Sequence, residues 1–91
     1  MLKPEFQEII DKLQYYEEIF DFLEYNEDYI IVTELKVVRV SKDALVKWIQ
    51  DFHSDIIWEY QIKGDTIHIM EFGGEVSYTI DLNDGNIIKW E

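Results

Sequence analysis

The stretch from Ile56 to Trp90 constrains the fold most, because its apolar residues alternate with polar ones and turn signals interrupt them at Gly64-Asp65, Gly73-Gly74 and Asn83-Asp84-Gly85-Asn86. Alternation at period two marks strands with one buried face, and a slip of one residue would turn every side chain to the wrong face. Register can therefore be tested on the sequence. A two-residue turn at Gly64-Asp65, with Gly first as a type II′ turn prefers, sets Ile62 opposite Ile67 and Tyr60 opposite Ile69. A turn at Gly73-Gly74 sets Ile69 opposite Tyr78 and Ile67 opposite Ile80. At the last turn, a three-residue loop with Gly85 in the left-handed region brings Ile88 opposite Ile80 and Trp90 opposite Tyr78. The expectation is a four-stranded meander whose inner face carries Ile56, Trp58, Tyr60, Ile62, Ile67, Ile69, Val76, Tyr78, Ile80, Ile88 and Trp90, a face that helices must cover. Glu59, Gln61, Thr66, His68, Ser77, Thr79, Asp81 and Lys89 fall on the other, polar face.

Those helices are sought in the first half of the chain. Pro4 suits a first helical turn, and Phe6, Ile9, Leu13, Tyr16, Phe20 and Leu23 follow at spacings of three and four, which predicts a helix from about Pro4 to Tyr25. Its second half carries a second apolar strip, Tyr15, Ile19 and Phe22. Asn26-Glu27-Asp28 ends it, and the β-branched run from Tyr29 to Val40 predicts a strand with a bulge or bend near Glu34 to Val38. Ser41 can cap a second helix, in which Leu45, Trp48, Ile49 and Phe52 share a face and which ends by about His53. The predicted architecture is a single α+β domain over residues 1–91: two helices on one face of a mostly antiparallel sheet, in the order α-β-α-β-β-β-β.

Charge narrows the function. The chain of 91 residues has 20 Asp and Glu against 8 Lys and Arg, a net of −12, and it has no Cys. The sign disfavours direct contact with nucleic acid or anionic lipid, which need clustered bases. A Cys-free domain of this size fits the reducing cytoplasm, and no apolar run approaches the length of a membrane span. The charge is segregated: residues 1–30 and 51–91 each carry nine acids and two bases (net −7 each), whereas residues 31–50 carry two acids and four bases (net +2), summing to −12.

No catalytic or metal set emerges. His53, Asp55, His68 and Glu71 are of the right types for zinc or iron, but the register puts His68 and Glu71 on opposite faces. His53-Ser54-Asp55 is a triad in composition only, since adjacent residues do not converge on one point. Asp81 to Gly85 is a hairpin turn and not an EF-hand loop, because Gly falls fifth instead of sixth and no closing Glu follows. Gly73-Gly74 joins strand to strand and precedes no helix, so it is no phosphate cradle. Glu71, the one acid on the predicted core face, is read as a rim residue that reaches water.

The expectation is therefore a non-enzymatic protein, without cofactor or metal, that binds another protein with a basic surface. An acidic domain is drawn quickly to the positive groove of a nucleic-acid enzyme, as inhibitors of the immunity, anti-restriction and phage or plasmid anti-defence types are. The predicted contact is Tyr15, Glu18, Ile19, Asp21 and Phe22, an aromatic strip flanked by acids. The competing readings are a homo-oligomeric structural or regulatory subunit that self-associates through Tyr15, Ile19 and Phe22, and a small-molecule or metal-dependent enzyme.

Overall fold

The computed structural model describes residues 3–52, 57–71 and 76–90, without the side chains of Trp58 and Trp90. Among these residues one helix, α1 (Pro4–Leu13), precedes eight strands: β1 (Ile19–Tyr25), β2 (Asp28–Thr33), β3 (Lys36–Val40), β4 (Val46–Asp51), β5 (Ile57–Lys63), β6 (Thr66–Glu71), β7 (Ser77–Asp81) and β8 (Ile87–Trp90). They form two antiparallel meanders, β1-β2-β3-β4 and β5-β6-β7-β8. The predicted two-helix α+β arrangement is thus corrected to a mostly β protein: what covers the C-terminal sheet is a second sheet.

The layers follow from the two apolar clusters. Between the sheets, Ile30, Val32, Val37 and Phe52 meet Ile57, Ile67, Ile69, Ile80 and Leu82. On the outer face of the first sheet, Phe6, Ile9 and Ile10 of α1 lie against Phe22, Tyr29, Ile31, Val38 and Val40. Phe6 stacks on Phe22 with ring centroids 4.1 Å apart, and its edge meets Tyr29 at 5.2 Å. The first sheet is therefore covered on both faces from β1 to β3, and all six residues of β2 are buried.

This double burial explains why β1 reads as helix. A strand covered on both sides needs apolar residues on both, so the period-two signal disappears. In β1, Phe22 faces α1 while Phe20, Leu23 and Tyr25 face the second sheet, and an extra residue at Phe20 shifts the register between Ile19 and Asp21. The resulting spacings of three mimic a helix. The real helix stops at Gln14, whose left-handed backbone (φ 58°) lets its N–H close on the Ile10 carbonyl.

The predicted second helix is β4. Ser41 does cap, but it caps a turn: its Oγ accepts from the N–H groups of Asp43 (3.2 Å) and Leu45 (3.1 Å), and Ala44 takes a left-handed φ of 65°. The chain then returns antiparallel to β3, where Val46, Trp48 and Ile49 suit a pleated strand.

The irregularity foreseen near Glu34 is a full hairpin turn. Buried Thr33 accepts from the N–H groups of Leu35 and Lys36 at 3.1 and 3.0 Å, while the carbonyls of Glu34 and Leu35 accept from Ile57 and Phe52. With no Gly or Asn, this turn is held by a side chain and by distant backbone.

In the second sheet, Ile62 pairs with Ile67, Tyr60 with Ile69, Ile69 with Tyr78, Ile67 with Ile80 and Tyr78 with Trp90, as the alternation requires. Gly85 is left-handed, with φ 77°. The residue opposite Ile80 is Ile87 and not Ile88, because a bulge inserts Ile88 into β8. Of the predicted inner face, Ile56 and the turn at Gly73-Gly74 lie outside the described residues, as do the Trp58 and Trp90 side chains.

Candidate binding groove

The open edges of the two sheets, β1 and β5, lie over one another and flank a groove of about 830 Å³ lined by Glu18, Ile19, Phe20, Glu59, Tyr60 and Gln61. Its apolar wall comes from Phe20 and Tyr60, whose rings are nearly parallel at 6.4 Å. The Tyr60 hydroxyl donates to Asp21 Oδ2 (3.0 Å) and to the Phe20 carbonyl (3.4 Å), tying the two sheets together at the groove. Burial raises the Tyr60 hydroxyl above its ordinary pKa, and the bond to Asp21 adds to the shift. Tyr60 thus stays a neutral donor that keeps Asp21 in place.

Glu18 and Glu59 are exposed, and the described lining residues include no Lys or Arg. Glu17, next in the chain, is by contrast already matched: it pairs with Lys36 Nζ at 3.0 Å and accepts from Thr33 Oγ1 at 3.2 Å. The groove is therefore negative where it opens and apolar along its wall. Being open, it leaves the carboxylates hydrated, which suits the binding of cationic side chains more than proton transfer in a dry site.

The residues picked from the sequence separate here. Glu18 and Ile19 line the groove and Asp21 braces it through Tyr60. Tyr15 is half-buried with the Lys36 ammonium 4.1 Å from its ring centroid, and Phe22 is in the core against Phe6. Glu59, Tyr60 and Gln61 join the site only by tertiary structure. Charged Glu59 beside aromatic Tyr60 on an edge strand is the signal that was available, but nothing local shows that β5 faces β1.

The other chemical candidates lie apart. His68 Nδ1 is 3.1 Å from Thr79 Oγ1 on the outer face of the second sheet, where Glu59, Tyr60, Gln61, His68 and Met70 line a hollow of about 150 Å³. Glu71 accepts from the Tyr78 hydroxyl at 2.8 Å and is half-buried. His53, Ser54 and Asp55 lie outside the described residues. Among the described residues, no group of three His, Asp or Glu side chains could hold a metal ion, and no helix is long and apolar enough to cross a membrane. A scan against protein-family models and a search of curated proteins return no match to this chain.

Proposed function

We propose that the chain is a non-enzymatic, acidic protein-binding module that takes a basic surface of a partner protein against the β1–β5 groove and so blocks a nucleic-acid-binding site on that partner. The observation that carries this reading is the groove's makeup: Glu18 and Glu59 with no base among the described lining residues, set beside the Phe20–Tyr60 wall. Acids steer a basic partner in, and the apolar wall prolongs the encounter. The net charge of −12 extends that attraction beyond the groove. The reading places the module in the cytoplasm, because a domain of this size without Cys suits a reducing compartment, and it needs no cofactor, nucleic acid or membrane.

The test compares the parent with a Glu18→Lys/Glu59→Lys double variant as baits for proteins from the native host. Both positions are exposed, so folding should be unaffected. A basic protein should be retained by the parent and lost from the variant, and the parent should displace that protein from nucleic acid. Equal retention by both baits would refute the groove. A captured protein that still binds nucleic acid in the complex would refute the blocking role.

A further inference from the structure

A helix is about 10 Å across and strands are about 4.8 Å apart, so one helix covers two to three strands of a sheet. The partners of α1 accordingly come from β1, β2 and β3, and β4 carries the same face on without a cover. Val46 pairs with Val40 and Ile49 with Val38; the two β3 residues are fully buried, whereas Val46 and Ile49 are 45% and 44% exposed. Leu45 is more exposed still, at 68%. At the same end of the sandwich, Trp48 and Gln50 of β4 donate to the carbonyls of Leu82 and Gly85, in the turn that leads to β8. There Ile87 and Ile88 are also exposed. Among the described residues, only Tyr16 of the large exposed apolar side chains lies elsewhere.

This apolar end also carries little net charge. Residues 42–51 hold Lys42 and Lys47 against Asp43 and Asp51, and residues 81–90 hold Lys89 against Asp81 and Asp84, a net of −1 within a chain of net −12. A basic partner gains less attraction there than at the groove, and two copies of the chain can meet there with little opposing charge. Bulges insert Lys47 into β4 and Ile88 into β8, which disfavours continuation of either sheet through its backbone. The contact is then made by side-chain faces, and a two-fold arrangement closes it.

We propose that the β4–β8 end, centred on Ile49 and Ile88, is the contact face of a homodimer that leaves both β1–β5 grooves open. Because the copies repel at long range and attract at short range, the dimer should tighten as salt is raised. A groove bound to a basic partner should instead weaken, so the two surfaces answer to opposite salt trends.

The experiment is sedimentation equilibrium of the purified chain over a range of concentrations, at low and high salt, with Ile49→Ser/Ile88→Ser and, as control, Tyr16→Ser. The parent should dimerise more strongly in high salt, the double variant should raise the dissociation constant by about tenfold or more, and the control should match the parent. A parent that stays monomeric at every concentration and salt overturns the proposal. So does a dimer that the double variant leaves intact, or one that dissociates in salt.

Discussion

Asp28 is the residue on which the first sheet's polar wiring converges. It is buried, yet its Oδ2 takes Arg39 at 2.9 Å and Lys47 at 2.6 Å, and Arg39 reaches on to the Asn83 carbonyl at 3.1 Å, latching the first sheet to the β7–β8 turn. The Lys47 contact, opposed by burial and helped by Arg39, holds the Asp28 carboxyl below its ordinary 3.8. Folding thus favours the charged form, so its contribution is present above pH 3.8 and is lost as the pH falls through the depressed value. Asp28→Asn should cost about 2 kcal/mol or more at neutral pH, since Arg39 is left buried with a weaker partner. In denaturation at successive pH values, the gap to the parent should close at acid pH. A gap that is the same at all pH values would refute the assignment. On the alkaline side, burial, and then the bond to Asp65, pushes the Tyr25 hydroxyl up to about 12. Folding favours the neutral phenol, so that contribution is full below pH 10 and fades as the pH rises towards 12. Tyr25→Phe should flatten this arm of the stability profile.

Glycines divide by what surrounds them. A Cβ on Gly85 would overlap the Trp48 ring and would also sit at φ 77°, whereas a Cβ on Gly64, at φ 60°, meets nothing within 4 Å. Gly85→Ala should therefore cost about 3 kcal/mol, from strain and overpacking together, against about 1 kcal/mol for Gly64→Ala. Equal denaturation midpoints for the two variants would contradict the packing of β4 on the last turn.

Among elements, the hairpins separate by how they are held. The β1–β2 turn places Asn26 and Glu27 at φ 46° and 68°, the backbone of a type I′ turn that prefers Asn-Gly. Glu27→Gly should stabilise the protein by about 1 kcal/mol, partly by removing one acid from an overcharged chain; an unchanged or lower melting midpoint would argue against this turn. A register shift also marks each edge strand, with the extra residue at Phe20 in β1, Lys47 in β4, Trp58 in β5 and Ile88 in β8. These bulges twist the edges away from regular pairing, the usual protection against strand-by-strand aggregation. The bulge at Ile88 is also why Ile87 opposes Ile80, a detail that alternation cannot reveal.

For the whole molecule, charge and burial operate on different faces. The inter-sheet core and the α1 layer hold most of the described apolar side chains, whereas every described acid except Asp28 lies at least partly exposed, with few bases to match. Long-range attraction of a basic partner should fall steeply with ionic strength, and association rates of the captured complex measured across salt would show it. Local pattern alone determined the second sheet apart from the bulge in β8, the left-handed Gly85, the start of α1 and the acidity, because one-sided burial writes a period of two and turns need particular residues. Tertiary structure decided the rest. A strand with apolar packing on both faces loses its period, so β1 passes for helix; β4 follows from pairing with β3; and the β2–β3 turn is closed by Thr33 and by backbone that arrives from Phe52 and Ile57. The groove depends on β1 and β5 being brought together across the core, and no spacing along the chain encodes that meeting.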